Sequence, residues 1–477
     1  MKSSEALKVV LKRNQYISKI LQLSKYKSLE NEFSQILNVP SKVLFIENCQ
    51  ILSRDWNFKK KKFDNFSFFA LFKQAFLYFF LCFLNFISFR NNKLKKKNYH
   101  VLVEGILSKQ EADRWLELSK YSKKICLIGN NFFKLNSKKI DFLIYKKKYL
   151  LNKNDLSINS KIKIFYLFIK ILTFSILDNK NYFFLFNNTF YKYLKYKFIF
   201  TNTKANFMIE EKFYATSELK NFLFKSLGGK KSACIQKNIL EHSISSFIRS
   251  DIFFSLATNT AKIIKVLGGY VEKIYPVGSL FMEEKWFKKK KDLKNIEEID
   301  LLIIGINVKG NISKFDITGE FEDTYYEYLQ WIVKFSQKFP EKKIVLKHHD
   351  NHSIDIREVN LLKSSNVKTI IGSQSYNQTY GYVFKSKIVC SFGSTMIMEY
   401  LGLGKICFFL DPNFKNHQFF DYLPQTNKWR ISSYKDFEKK LLNLFKRRKF
   451  NFKIAKEKND YCIESSSTSK RISKFLK

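Results

Sequence analysis

KIVCSFGSTMIMEYLGLGKICFFLDP, residues 387–412, contains two short apolar runs with a stretch of helical spacing between them. Short apolar runs bounded by Gly or Pro are typical of strands buried on both faces of a sheet. A strand, a helix and a second strand in this order form a βαβ unit, whose two strands lie parallel in one sheet. The segment therefore predicts a doubly wound α/β domain around it.

The turn between the first strand and the helix of this unit has the composition of an anion site. Gly393 ends the strand, and Ser394 and Thr395 stand at the helix start. The first backbone N–H groups of a helix lack intrahelical partners and carry partial positive charge, so they bind phosphate. Glu399 is placed one turn further on to bind ribose hydroxyls, and Asp411 follows the second strand at the ligand-binding edge of the sheet. An ordinary helix cap is the alternative for Ser394 and Thr395.

A second apolar run, IVLKHHDN at 344–351, ends in a cluster of basic side chains. Lys347, His348 and His349 follow the predicted strand directly, at the sheet edge that also carries Ser394. Such groups neutralise the charge that builds on a departing phosphate. We predict that His349 is catalytic and that Lys347 and His348 bind the donor phosphate, although a single His is often structural.

Two weaker signals lie in the first half of the chain. Glu104 ends the predicted strand 100–105, where a carboxylate in a cleft would take the proton from an acceptor hydroxyl. The alternative for Glu104 is an acid at a helix start. Gly278 and Ser279 form a small turn whose backbone N–H groups are predicted to face the same cleft.

Outward from these motifs, apolar strands alternate with helical stretches in two series. At 477 residues the chain exceeds the size of a single hydrophobic core. The sequence therefore predicts two Rossmann-like parallel-sheet domains facing a cleft, at 99–290 and 291–448, with a helical, basic and aromatic extension at 1–98 and a helical tail at 449–477. The first series has predicted strands at 100–105, 124–129, 141–146, 197–203 and 232–236, and the second at 299–306, 343–349, 367–373, 387–394 and 405–412.

Composition excludes several classes of protein. Apolar residues make up 45% of the chain and aromatic residues 17%, so the chain is folded in spite of a formal charge of +43. The charge keeps a basic nucleic-acid binder open as an alternative, but no nucleic-acid-binding module is recognisable. Seven Cys without a C-x-x-C pair indicate reduced thiols, which favours a cytoplasmic protein over a disulfide or zinc framework.

One segment has the length and composition of a membrane helix. FSFFALFKQAFLYFFLCFLNFISF at 66–89 lies between the lysine runs 59–62 and 93–97, with no secretory signal before it. An anchor lying in the plane of an anionic leaflet and a helix buried against the first domain both remain open. We expect a cytoplasmic protein in peripheral contact with anionic lipids on the inner face of the cytoplasmic membrane.

These motifs resemble the GT-B glycosyltransferases of bacterial surface-carbohydrate (capsule and lipopolysaccharide) assembly, including the sialyltransferase, polysialyltransferase and Kdo-transferase branch. The resemblance covers about 99–448. Enzymes of the branch that uses CMP-linked sugars carry an acid-acid-Gly motif with the base, a His-Pro motif that contacts the CMP phosphate, and a Ser-Ser or Ser-Thr motif that holds it. Val103-Glu104-Gly105, His349-Asp350 and Ser394-Thr395 are similar to these three motifs. Related enzymes also carry Gln-His-Gly at a first-domain strand end, where this chain has Gln236-Lys237-Asn238.

The resemblance implies an acceptor domain at 99–290 and a nucleotide-sugar donor domain at 291–448. It implies an inverting, metal-independent transfer from a nucleotide-activated donor, such as a CMP-linked acid sugar, to a surface polysaccharide or glycolipid. No cofactor, metal or nucleic-acid partner is expected beyond the nucleotide sugar and the glycan acceptor. A CDP-glycerol-type polyol-phosphate transferase, a sugar 2-epimerase on the same fold, and a non-catalytic GT-B chain remain alternatives.

Overall fold

Two parallel β-sheets form the frame of the chain. The computed structural model describes residues 3–87, 97–145, 156–238, 245–257, 263–283, 296–306, 316–317, 319–348, 355–370, 376–402, 405–415, 429–446 and 461–476. The prediction of two Rossmann-like domains facing a cleft, the GT-B architecture, is confirmed by the strand orders given below.

A helical layer precedes the first sheet. Its helices are α1 (Ser3–Leu21), α2 (Ser24–Leu37), α3 (Ser41–Asp55) and α4 (Leu71–Phe86), and a short hairpin of β1 (Trp56–Asn57) and β2 (Lys62–Phe63) lies between α3 and α4. One apolar cluster joins these helices to Leu102, Cys126 and Met208 of the first sheet. The N-terminal extension therefore packs directly on one face of that sheet.

The first sheet has seven strands, all parallel, in the order β5-β4-β3-β6-β7-β8-β9. Parallel strands place their carboxyl ends at one edge, where open α/β sheets bind ligands. The elements are β3 (Lys97–Ile106), α5 (Lys109–Asp113), α6 (Leu116–Tyr121), β4 (Ile125–Gly129), β5 (Ile140–Ile144), α7 (Ile158–Leu177), α8 (Tyr182–Asn202), β6 (Thr203–Glu210), α9 (Glu218–Ser226), β7 (Lys231–Ile235), β8 (Arg249–Ser255), α10 (Ile263–Val266) and β9 (Tyr270–Pro276).

The second sheet has six parallel strands in the order β12-β11-β10-β13-β14-β15. The four central strands are mostly apolar and buried, as expected for a sheet covered on both faces, whereas the edge strand at 368–370 is mostly exposed. The elements are β10 (Ile299–Ile304), α11 (Phe321–Lys338), β11 (Ile344–Lys347), α12 (Ile356–Leu362), β12 (Lys368–Ile370), α13 (Tyr376–Lys385), β13 (Ser386–Ser391), α14 (Met396–Gly402), β14 (Ile406–Leu410), β15 (Arg430–Ile431) and α15 (Tyr434–Phe445).

The strand predicted at 197–203 is wrong. These residues end α8, and the strand β6 begins at Thr203. An apolar aromatic run has the same composition in a buried strand and in a buried helix, so periodicity does not separate the two. Packing decides here, because Ile199 and Phe200 face the apolar cluster that α8 shares with α3 and α9.

The C-terminal segment contacts both domains. Tyr461 and Cys462 pack in the core of the second domain. The last helix, α16 (Thr468–Phe475), instead lies on the first domain, where the ring of Phe475 stacks on Tyr275 with centroids 3.7 Å apart. The tail therefore ties the second sheet back to the first.

Candidate active site

A cleft of about 600 Å³ lies between the two domains. Its walls come from the carboxyl-terminal side of both sheets, because Lys237 follows β7 and Ser394 follows β13. The lining residues are Ser108, Gln110, Glu111, Arg114, Tyr214, Lys237, Asn238, Phe281, Tyr380, Ser394, Thr395, Met396 and Glu399.

Arg114 is the most deeply buried cation of the first-domain wall. Its Nη1 donates to Glu211 Oε1 over 2.7 Å, and its guanidinium lies 3.4 Å from the ring centroid of Phe281. Burial raises the pKa of Glu211 to about 7 in spite of this pairing. The buried Nε of Arg114 has no hydrogen-bond partner among the described residues.

Lys237 extends the same wall. Its Nζ lies 3.4 Å from Glu111 Oε1, and Lys212 Nζ lies 3.2 Å from the same oxygen. Burial and the nearby Arg114 lower the pKa of Lys237. Two lysines and one arginine therefore converge on this wall, with Glu111 and Glu211 as their counter-charges.

Glu111 belongs to a capping box at the start of α5. Its Oε2 accepts from Leu107 N over 2.6 Å, while its own N–H donates to Ser108 Oγ over 3.2 Å. Burial alone would raise the pKa of Glu111, but the Leu107 N–H and the two lysines outweigh it and hold the pKa below its usual value. Glu111 is thus an ionised carboxylate at the cleft.

The second-domain wall is the turn between β13 and α14. The N–H groups of Gly393 and Ser394 both donate to Ser391 Oγ, over 3.2 and 3.1 Å, and Met396 N donates to Ser394 Oγ over 3.3 Å. The N–H groups of Gly393 and Ser394 therefore already have an acceptor in Ser391, and phosphate binding by this turn stays a prediction. Ser394 and Thr395 both line the cleft.

Glu399 of the second domain bonds to Ser279, which lies in the segment directly after the last strand of the first sheet. Its Oε1 accepts from Ser279 Oγ, and its Oε2 accepts from Tyr380 Oη over 3.1 Å. Gly278 adopts φ +86°, and a Cβ there would lie 3.0 Å from Ile463 O, so the turn requires glycine. Glu399 and the Gly278-Ser279 turn therefore form one contact at the base of the cleft.

The contact at Glu399 is expected to make stability depend on pH. Burial raises the pKa of Glu399 from 4.5 to about 7, and burial does the same for Glu30, Glu211 and Glu283. Keeping these carboxyls protonated in the folded chain stabilises it. This stabilisation is fully present below the pKa that the carboxyls have in the unfolded chain, and it is lost as pH rises through about 7. The chain should therefore melt at a lower temperature at about pH 8 than at about pH 6.

Glu399→Gln should reduce this difference, because glutamine carries no proton to lose. Glu322→Gln, which changes an exposed carboxylate on α11, should leave the difference as it is in the wild type. Differential scanning calorimetry at the two pH values measures both. A pH dependence of equal size in the Glu399→Gln and Glu322→Gln variants would contradict this account.

Lys347 and His348 are the described part of the basic cluster at the end of β11. Neither residue lines the cleft. Lys347 and His348 are both buried, Lys347 Nζ donates to His348 O over 2.7 Å, and His348 Nε2 lies 2.5 Å from Glu358 Oε1 on α12. The imidazole also packs on Gly305, where a Cβ would approach Nδ1 to 2.4 Å. His349 lies outside the described residues, so its catalytic role stays a prediction.

Asp411 and Glu104 are held in buried ion pairs. Asp411 pairs with Arg430. Glu104 accepts from Lys195 Nζ over 2.7 Å, from Lys220 Nζ over 2.8 Å and from Tyr196 Oη over 2.8 Å. Burial opposes ionisation, but the two lysines hold the pKa of Glu104 well below its usual range. No observation tests the predicted role of Glu104 as a base, but its position favours a structural role.

Arg114, Lys237 and Phe281 were missed by sequence reasoning. Lys237 follows an apolar strand directly, which is the signal that also identified Ser394, and it stands in the place of the His in Gln-His-Gly. Arg114 follows the S-x-x-E capping box at Ser108, a pattern that marks a helix start at the carboxyl end of β3. Phe281 carries no local signal, because it is marked by its contacts with Arg114 and Lys237, which are distant in sequence.

No protein-family model and no curated protein matches the chain. Solved structures with a similar course include Staphylococcus aureus MnaA with UDP, at 11% identity and TM-score 0.42, covering 79% of this chain and 94% of that chain. The UDP-GlcNAc 2-epimerase of Neisseria meningitidis bound to UDP-GlcNAc is 13% identical with TM-score 0.43, covering 80% and 99%. The wall teichoic acid polymerase TagF is 11% identical with TM-score 0.44, covering 85% and 92%. TM-scores this low give no information about activity. The fold is established by the observed strand orders.

Proposed function

We propose that the chain is a GT-B-type transferase that holds the phosphate of a nucleotide-activated sugar in the interdomain cleft. The observation that supports this proposal is that the two domains supply different polar groups to the two walls of one cleft. Arg114 and Lys237 supply cations from the first domain, and Ser394 and Thr395 supply hydroxyls from the second. Cations and hydroxyls that converge on one cleft can stabilise the charge of a leaving phosphate.

The transfer replaces the bond between the sugar and a phosphate oxygen with a bond to an acceptor oxygen. The bonding electrons leave with the nucleotide, whose added negative charge Arg114 and Lys237 stabilise. The proton of the acceptor hydroxyl passes to a carboxylate. Glu111 lines the cleft whereas Glu104 is not among the lining residues, so Glu111 is the carboxylate that we propose for this step.

The donor is proposed to be a nucleotide sugar, such as one linked to CMP, and the acceptor a polysaccharide or glycolipid. A CDP-glycerol-type polyol-phosphate transferase and a UDP-sugar 2-epimerase would use the same cleft for a different nucleotide. The nucleotide that binds therefore separates these three reactions.

Thermal unfolding with CMP, CDP and UDP tests the proposal. A ligand present at a hundred times its dissociation constant stabilises the folded chain by about 2.7 kcal/mol, so one of the three should raise the melting temperature clearly. CMP as the tightest ligand supports a CMP-linked sugar donor, CDP a polyol phosphate and UDP a UDP sugar. The proposal fails if none of them shifts the melting temperature beyond the shift given by inorganic phosphate.

A further inference from the structure

Helices α4 and α7 form a continuous apolar surface on the first domain. Tyr78 Oη on α4 donates to Ile164 O on α7 over 3.0 Å, and the rings of Phe79 and Phe165 lie 5.3 Å apart. The two helices are separated by about seventy residues of sequence but lie side by side. We call this surface, formed by residues 69–87 and 158–177, the α4/α7 face.

The α4/α7 face is apolar where a water-exposed helix should be polar. On α4 the buried positions form one stripe, Leu71, Ala75, Tyr78, Cys82 and Asn85. Outside that stripe the side chains remain apolar, with Phe69 exposed by 98%, Phe72 by 79% and Phe76 by 69%. Of the large hydrophobic side chains that are exposed in the described residues, nine lie in 69–87 and seven in 158–177. Apolar patches of this extent mark an interaction surface.

Within the two helices of the α4/α7 face every charged side chain is a lysine, although Lys170 is paired with Glu32 of α2 at 2.8 Å. Lys73 lies on α4, Lys161, Lys163 and Lys170 lie on α7, and neither 69–87 nor 158–177 contains an acidic residue. The hairpin before α4 adds four exposed lysines at 59–62. A symmetric contact between two copies would bring these lysines against each other, because an isologous interface joins a patch to itself. An anionic partner instead complements both the apolar surface and its basic border.

Helix Phe68–Phe86 is long and apolar enough to cross a bilayer, and 28% of it is buried in the fold. Its buried stripe packs along its length against α7 and α8, including the hydrogen bond from Tyr78 to Ile164. A helix fixed in this way to a folded domain lies flat on that domain, so its outer face meets a membrane in the interfacial plane.

We infer that the α4/α7 face docks the chain in the plane of an anionic lipid bilayer, with the phenylalanines of both helices inserted among the lipids and the lysines at the headgroups. For residues 66–89 the sequence left two arrangements open, an anchor in the plane of the membrane and a helix buried against the first domain. The helix is packed on the first domain along one stripe and presents the opposite side to lipid. Residues 88 and 89, which end the predicted segment, lie outside the described residues, as do residues 93–96 of the lysine run that follows it.

Vesicle co-sedimentation of the full chain tests the inference. The wild type should sediment with vesicles of phosphatidylcholine and phosphatidylglycerol, and less with phosphatidylcholine alone, because both apolar insertion and charge contribute. The double variant Phe72→Ser/Phe76→Ser should partition at least about tenfold more weakly into the anionic vesicles. The matched control Tyr270→Ser/Ile356→Ser removes two side chains of similar exposure, 62% and 68%, away from this face and should bind as the wild type does.

Two further measurements distinguish binding to anionic lipid from association between two copies of the chain. Lys163→Glu should weaken binding to the anionic vesicles and leave binding to phosphatidylcholine nearly unchanged. Gel filtration without lipid should show a monomer. Equal binding by the Phe72→Ser/Phe76→Ser variant and the wild type, or a wild-type dimer that the same variant dissociates and that ignores vesicles, overturns the inference. The melting response to nucleotide is independent of this face, so failure here leaves the proposed function standing.

Discussion

Replacing Lys220 with methionine is expected to lower the free energy of unfolding by about 3–5 kcal/mol, because it leaves the buried Glu210 without its paired cation and Glu104 with Lys195 alone. Lys220 lies on α9 and is fully buried. Its Nζ donates to Glu104 Oε2 over 2.8 Å and also to Glu210. The two carboxylates end the adjacent strands β3 and β6, where they are direct partners in the sheet. Without Lys220 they repel each other in a site that excludes water.

Lys225→Met is the matched control for Lys220→Met. Lys225 lies on the same helix and pairs with Asp251 at 2.5 Å, but its side chain is largely exposed. An exposed pair contributes less than about 1 kcal/mol. Urea titration followed by circular dichroism should therefore show a large decrease in midpoint for Lys220→Met and a small one for Lys225→Met. Equal decreases for the two variants would mean that the buried network does not stabilise the first domain.

Lys237→Met is expected to weaken nucleotide binding by about tenfold to a hundredfold, the loss typical for a hydrogen bond between charged groups. Lys237 reaches the cleft from the carboxyl end of β7, and methionine keeps its length while removing the charge. The effect should fall on the phosphate, so a nucleoside without phosphate should bind the variant and the wild type alike.

Lys230→Met controls for the loss of one positive charge. Lys230 precedes the same strand at its opposite end and is exposed. If general electrostatic attraction by a chain of +43 explained nucleotide binding, the two variants would lose affinity equally. Isothermal titration of each variant with the nucleotide that stabilises the wild type most distinguishes a local contact from the general field.

The βαβ unit at 387–412 could be predicted from sequence because each part carries its own local signal. Apolar runs mark β13 and β14, and Gly393 with Ser394 marks the turn between β13 and α14. The same logic found the strands β3, β4, β7, β10 and β11. It failed at 197–203, where the apolar aromatic side chains of α8 pack as a buried helix.

The candidate site was less predictable because its geometry depends on partners distant in sequence. His348 looks like a ligand-binding residue until Glu358 on α12 is seen beside it. Glu104 pairs with Lys195 and Lys220, contacts that no local pattern predicts, and its role as a base stays a prediction. Lys237 has no recognised motif, yet the fold brings it to the cleft that Ser394 lines. Local pattern identified the strand ends correctly, whereas tertiary packing decided which side chains face the cleft.

A crystal structure of the chain soaked with its preferred nucleotide tests the central claim most directly. The account predicts that the nucleotide phosphate lies in the interdomain cleft, within hydrogen-bonding distance of Lys237 or Arg114 on one side and of Ser394 or Thr395 on the other. A nucleotide bound elsewhere, or one held in the cleft with its phosphate turned away from all four side chains, would contradict it.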